Sequence, residues 1–370
     1  MVNTLKLAPD IRQYVWGPLL VLLVGLTATS AVVWQMWRMA EAKDVDRFTN
    51  YAAQTQQYLN NQMEAYSGVL RDGAALFTAT AAPGRGEFRA LVERFGLRKP
   101  LASSFQQMQS SAIQYPALLG LGWIRRDTTA NARSDKPAGP RFFLADEPRS
   151  RYVIAYLEPG EWRGQVANDS TIFTKPESLA AMAAARDSGN ATASAHISMI
   201  QDFWTKTKSG IHVFRPVYLG GRTPATAAER RNNLAGLIDI SLQTDELLEH
   251  AHSGSAYREV SLEVYDGTQV DPTALIYRSE SPQRAPDQAR EPRLSTTAVM
   301  DVAGRTWTLV FRSKPEFEAA SDRKLIPTVL LIGVLVSLLL AGANLFQSRA
   351  RAALNASETR YRRLFEASPD

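Results

Sequence analysis

Two stretches of this chain carry no charged residue, and they limit its fold more than any other feature. Residues 13–37 include "VWGPLLVLLVGLTATSAVVW", and residues 325–348 read "LIPTVLLIGVLVSLLLAGANLFQS". Each is close to the ~20 apolar residues that take a helix across ~30 Å of hydrocarbon. Trp16 stands near one end of the first run and Trp34 and Trp37 at the other, where indole rings favour a membrane interface. A cleaved signal peptide is the competing reading of the first run, since Lys6 and Arg12 precede it and Ala28-Thr29-Ser30 is small. The apolar run goes on through Val32, Val33 and Trp34, past any cleavage point there, which favours a span. A buried globular helix is the competing reading of the second run, and its unbroken Leu-Val-Ile composition argues against that.

Two spans put both ends on one side. Arg349, Arg351, Arg360, Arg362 and Arg363 follow the second span and assign that side to the cytoplasm. Arg38, Lys43 and Arg47 after the first span are offset by Glu41, Asp44 and Asp46. The expected product is a multi-pass protein of the inner membrane with residues 38–324 outside, in the periplasm of a bacterium.

Charge and motifs exclude several function classes. The 42 basic and 37 acidic residues are spread along the whole length, without the basic, aromatic-laced stripe of a nucleic-acid binder. No cysteine is present, which rules out a disulfide framework, a thiol nucleophile and a thiolate metal site. The nucleophile-elbow, zinc-protease and phosphate-loop patterns are missing. His250 and His252, with Glu246 and Glu249 nearby, point to different faces of a helix and read as a solvated helix end rather than a metal site. No catalytic residue, metal or cofactor is expected.

Between the spans, Val45, Phe48, Ala52, Leu59, Met63, Tyr66, Val69 and Leu70 fall at helical spacing on one face. No proline interrupts residues 19–82, so this stalk can continue directly out of the first span. Its seam either packs on its own domain alone or also pairs with a second copy, and the length of the seam favours the latter. Residues 88–97 read as a short helix and 176–187 as a helix stopped by Ser188-Gly189. Strands are expected at 118–126, 141–145, 152–157, 190–200, 211–218, 234–242, 259–265, 274–278, 295–302 and 306–311. The pattern is α+β: a long stalk helix and two groups of antiparallel strands.

The 190–200 stretch alternates cleanly. Ala191, Ala193, Ala195, Ile197 and Met199 face one way, and Thr192, Ser194, His196, Ser198 and Ile200 the other. On the next strand His212, Phe214 and Pro216 share a face. The polar faces are either solvated or line a concave pocket in which hydroxyls and an imidazole orient a small molecule. Composition does not choose between them.

The runs "YPALLGLGWIRR" (115–126), "AAARDSGNATAS" (183–194) and "SGIHVFRPVY" (209–218) resemble the signature of CHASE domains, the extracellular sensor modules of cytokinin-receptor kinases and many bacterial signalling proteins. The resemblance runs from about residue 85 to 311 and implies a stalk helix with two PAS-like sheets and a ligand in the membrane-distal one. The closing "SETRYRRLFEASPD" is similar to the start of a PAS domain, which implies an output module after it, a histidine kinase first and a diguanylate cyclase next. The expected organisation is a cytoplasmic N-terminus (1–13), first span (14–37), stalk (38–82), sensor domain (83–313), second span (325–347), and linker with PAS start (348–370).

In the plant receptors of that family an aspartate on the pocket helix holds the adenine ring; the matching position here is Ser178. The family's pocket leucine falls at Ile200 and its pocket threonine at Phe214. A hydroxyl cannot replace a carboxylate's charge-assisted contact with a purine edge, so an adenine derivative is a disfavoured ligand. The expected ligand-binding set is Ser178, Ser194, His196, Ile200, His212 and Phe214. Ala350, Leu354, Ser357, Tyr361 and Leu364 form a modest heptad seam after the second span, consistent with a parallel homodimer. The function expected is small-molecule sensing across a membrane; the competing readings are a ligand-free dimerisation or adhesion scaffold and an anchored hydrolase, the latter without motifs to support it.

Overall fold

The computed structural model describes residues 9–79, 83–95, 115, 117–127, 141–148, 150–158, 171–198, 209–253, 259–279 and 291–366. The chain divides into two units, residues 1–47 with 316–370, and residues 48–315.

Helix α1 runs unbroken through Pro9–Ala79, as the absence of proline after Pro18 allows. In the first unit it meets helix α8 (Ile326–Glu366), which follows a short helix α7 (Pro315–Ala319) in the chain. Both are long and apolar enough to cross a membrane. Leu19, Leu20 and Leu23 on one, and Leu331, Leu338 and Leu339 on the other, are exposed, as side chains facing lipid would be. Where the apolar part of α1 ends, polar contacts tie it to the returning chain. Ser321 Oγ donates to Asp44 Oδ2 at 2.6 Å, and Arg47 Nη2 donates to the Phe317 carbonyl at 3.0 Å. The Arg47 guanidinium also lies 4.1 Å from the centre of the Phe317 ring.

The second unit contains both sheets. The first is antiparallel, in the order β2-β3-β1-β7-β6-β4, with β5 also on β6. Its strands are β1 (Leu118–Asp127), β2 (Arg141–Phe142), β3 (Arg151–Glu158), β4 (Thr192–Ala193), β5 (Ile197–Ser198), β6 (Ser209–Tyr218) and β7 (Leu234–Gln243). The second has the order β10-β11-β8-β9, from β8 (Val260–Asp266), β9 (Leu275–Arg278), β10 (Ser295–Val302) and β11 (Arg305–Ser313). Fold class and expected elements agree closely: an α+β chain with a long N-terminal helix and two antiparallel sheets.

The apolar stripe of the stalk part of α1 is covered by its own domain. Phe48, Ala52, Leu59, Tyr66, Val69 and Leu70 are all buried within one chain, each large apolar side chain contributing about 1.5–3 kcal/mol. The seam thus packs on its own domain. Phe77 of α1 stacks on Trp123 of β1 at 3.9 Å, with Phe88 of helix α2 (Arg85–Arg94) and Tyr156 of β3 completing the cluster. One face of the first sheet thus rests on α1 and α2.

The other face is covered by helices α3 (Thr171–Thr174) and α4 (Pro176–Ser188). Helix α4 starts with Pro176 in its first turn and stops at Gly189, whose φ of +79° is left-handed and whose N–H donates to the Ala185 carbonyl at 2.9 Å. Two further helices were only partly foreseen: α5 (Ala227–Asn233), which opens with a Thr226/Glu229 capping box, and α6 (Thr244–Ala251).

Candidate ligand-binding site

Ser178, Ala181, Met182, Ala185 and Arg186 are the buried residues of α4, spaced so that one stripe of the helix faces the sheet. Beneath it, β6 and β7 pair with Phe214 opposite Asp239 and His212 opposite Ser241. Side chains two apart on a strand share a face, so these four project toward α4 together. Around them Phe173, Ala181, Met182, Ala185, Phe214 and Leu237 belong to one apolar cluster.

At the polar end of this layer, Asp239 is fully buried and its Oδ1 lies 3.0 Å from His212 Nδ1. Ser241 Oγ is 3.1 Å from the same nitrogen and donates to Asp239 Oδ2 at 3.4 Å. The carboxylate accepts the Nδ1 proton and so fixes the tautomer. Nε2, the other ring nitrogen, is buried without a hydrogen-bond partner among the described residues. The imidazole sits between two phenyl rings, 4.7 Å from Phe173 and stacked 5.6 Å from Phe214. Ser, His and Asp here do not form a hydrolytic relay, because serine and aspartate meet the same nitrogen and no nucleophile among the described residues reaches Nε2.

The expected site residues fall in different places. Ser178, His212 and Phe214 are all buried in the layer between α4 and the sheet. Ser194 lies beside them, but its hydroxyl joins two strands: it accepts from the His212 N–H at 3.0 Å and donates to the Ala195 carbonyl at 2.8 Å. His196 is half-buried with its Nε2 unpartnered among the described residues, and burial lowers its pKa against the opposing pull of Asp245 and Asp266. Ile200 lies outside the described residues.

The expected continuous strand at 190–200 is a correction. It is two short pieces, β4 and β5, separated by residues outside regular strand. The Ala193 N–H leaves the ladder to bond the Ala303 carbonyl in the turn of the second sheet, and Ala193 and Ser194 are buried in succession. Strict alternation ends there. His252 is a second correction: it is fully buried, and its Nδ1 is hydrogen-bonded to the Tyr51 hydroxyl of α1. His250 alone is exposed at the helix end, its Nδ1 donating to the Glu246 carbonyl at 2.8 Å.

Asp239 and Ser241 escaped the sequence reading. Their signal was one carboxylate alternating with isoleucines in "LIDIS", a charge inside an otherwise apolar strand. The "RDSGN" run has a structural task. Arg186 donates to Asp187 at 2.7 Å and to Glu147 at 3.2 Å, and also engages Asp146. Asp187 in turn takes a bidentate grip from Arg231, at 2.9 and 2.5 Å, and Tyr218 of the "PVY" run donates to the Arg186 carbonyl at 2.7 Å. Glu147 also accepts from Tyr152 at 2.6 Å and Ser150 at 2.6 Å and pairs with Arg126. This network anchors the end of α4 and thereby the roof over His212.

Comparison with known proteins fits this architecture. The CHASE domain family model matches residues 86–277, just over half of the 370-residue chain. Among solved structures, an extracellular ligand-binding receptor from Desulfohalobium retbaense has a TM-score of 0.42 at 13% identity, covering 72% of this chain. This chain spans 40% of the length of that one. The periplasmic sensory domain of the Campylobacter jejuni chemoreceptor Tlp1 has a TM-score of 0.35 at 10% identity, covering 74% of this chain and 93% of its own. The ligand-binding domain of the Pseudomonas aeruginosa amino acid chemoreceptor PctB, solved with L-Arg, has a TM-score of 0.36 at 11% identity, covering 74% and 95%. No curated protein matches.

Proposed function

The chain belongs to the CHASE domain family of extracellular sensory modules, and on that premise we propose that it senses a small molecule and passes the signal across a membrane. The observation that carries this reading is His212. It is a buried imidazole oriented by a buried carboxylate, with its second nitrogen unpartnered among the described residues, beneath a helix whose end is clamped by an ion network. A core gains nothing from an unsatisfied polar atom, and a ligand would satisfy it. Ser178 and Phe214 complete the proposed site, with Ser194 and His196 at its margin and Ile200 added from the family pattern.

The transmission path in this reading is α1, one helix from the sensor domain to the first span, and the returning α8. We place the protein in the inner membrane as a multi-pass homodimer with both termini in the cytoplasm. The resemblance favours a PAS-linked histidine kinase as output, with a diguanylate cyclase next. The test is thermal denaturation of the full chain in lipid nanodiscs against a metabolite panel. A ligand held only by the folded state at 100 times its Kd adds about 2.7 kcal/mol of stability. At least one compound should raise the melting temperature, and lose that effect in His212→Phe; no stabilising compound at all would favour a ligand-free scaffold.

A further inference from the structure

The chain leaves its first apolar stretch along α1 and returns to the second through residues 316–325, and these two segments are tied together. The Arg323 guanidinium lies over the Trp37 ring at 5.1 Å and pairs with Glu41. Lys43 Nζ donates to Asp322 Oδ2 at 2.7 Å. Asp44 accepts from Ser321, and Arg47 holds Phe317 by both its carbonyl and its ring. Trp37, Glu41, Asp44 and Arg47 recur at steps of three and four, so the ties run along one face of α1.

These ties differ in strength. Lys43 and Asp322 are exposed, and such a pair contributes little. Asp44, Ser321 and Phe317 are buried, where a lost partner is costly. Ser321 also caps the turn Asp322–Leu325, its hydroxyl accepting the Arg323 N–H at 3.3 Å. Ile326 is helical, so that turn runs without a break into α8. One hydroxyl therefore joins the start of the second apolar helix to a buried carboxylate of the first. A slide of α8 along α1 by two residues, about 3 Å, would carry Ser321 out of hydrogen-bonding reach of Asp44. The far ends of the two helices are also in contact, since a Cβ on Gly17 would stand 3.2 Å from Asn344 Oδ1.

We propose that this collar makes α1 and α8 one antiparallel hairpin that does not slide, so that movement of the domain of residues 48–315 crosses the membrane as a tilt or rotation of both spans together. The collar does this whatever the stimulus is, independently of the sensor reading.

The chain has no cysteine, so labels can be placed without background. Spin labels on Met39→Cys of α1 and Phe346→Cys of α8, both exposed positions, report the axial offset of the two helices by double electron–electron resonance. The full chain is reconstituted in phosphatidylcholine bilayers with myristoleoyl, oleoyl or erucoyl chains, whose different thicknesses load the spans by hydrophobic mismatch. In the wild type the distance should stay constant to within about 1.5 Å, the rise of one residue, because the pair tilts as a unit. With Asp44→Ala, Arg47→Ala and Arg323→Ala together it should shift by about 3 Å or more between the thinnest and thickest bilayers, a slide of two residues. A wild-type distance that follows bilayer thickness would show that the spans slide and would overturn the proposal. So would a variant, folded by circular dichroism, whose distance is as constant as that of the wild type, since the collar would then not be what holds the pair. If the variant does not fold, the wild-type series decides alone.

Discussion

Gly25 of α1 and Ser337 of α8 face each other so closely that a Cβ on Gly25 would stand 2.5 Å from the Ser337 hydroxyl oxygen. One turn away the arrangement repeats with the roles exchanged: a Cβ on Gly333 would collide with the Thr29 side chain. Each hydroxyl is satisfied inside its own helix, Thr29 on the Gly25 carbonyl at 2.8 Å and Ser337 on the Gly333 carbonyl at 2.7 Å. Neither pays for an unpaired polar group in an apolar setting, and the helix backbones approach closely, as small residues permit.

The chain has no cysteine, so this contact can be tested by crosslinking without background. In oxidised membranes Gly25→Cys with Ser337→Cys should form a disulfide within one chain. Leu23→Cys with Leu339→Cys, both exposed side chains, should not. Species of doubled mass from the first pair, or equal crosslinking of both pairs, would show that the spans do not meet in this way.

Arg186 should be the most sensitive polar position of the domain. Its side chain is wholly buried against Asp146, Glu147 and Asp187. Arg186→Met leaves three carboxylates facing an apolar group, and breaking a buried ion pair on one side costs about 3–5 kcal/mol, less here because the acids are partly solvated. A loss of about 2–3 kcal/mol in urea unfolding is the expected result. Arg186→Lys should recover little, since one ammonium cannot reach all three partners as a guanidinium does. Full stability of the lysine variant would argue against the clamp.

Much of the fold was legible because its signals are local. Uncharged runs, the short apolar runs of β1, β6, β7 and β11, and the Ser188-Gly189 stop each encode an element without help from elsewhere. The Thr226/Glu229 capping box of α5 was equally local and was passed over in a polar stretch. What escaped depends on tertiary contacts. The β4–β5 break follows from a bond to Ala303, more than a hundred residues on, and the burial of His252 follows from Tyr51, two hundred residues earlier. Of the candidate site, His212, Phe214 and Ser178 follow from pattern and resemblance, but the orienting Asp239 does not. One buried charge in a strand reveals its partner only after the register is known.

Membrane topology gives a direct check on the two apolar helices. Alkaline phosphatase fused after Asp187 should be active, and fused after Asp370 inactive, under the proposed topology, which puts residues 38–324 outside and the arginines after Ser348 inside. Activity on the same side for both fusions would require a different number of crossings.

Stability should fall with acid in two separate steps. His196 is held below its ordinary value by burial. Between ~6.5, the unfolded value, and that lower folded value, the unfolded chain binds the extra proton, so stability declines as pH drops through this window. The carboxylates act lower down. Asp187 is depressed by Arg231 and then, against its burial, by Arg186; Asp146 is depressed by Arg186. Burial raises Glu147, but the hydroxyls of Ser150 and Tyr152 and the charges of Arg126 and Arg186 outweigh it and hold it low. Their stabilisation is complete above the unfolded carboxylate range of ~4 and is lost as pH falls through the lower folded values. Urea midpoints across pH 3–8 should therefore show an early decline below about pH 6.5 and a steeper one below about pH 4. His196→Gln should remove the first and leave the second, while Arg186→Met should flatten the second and leave the first. A single step that neither variant moves would assign acid sensitivity to other groups.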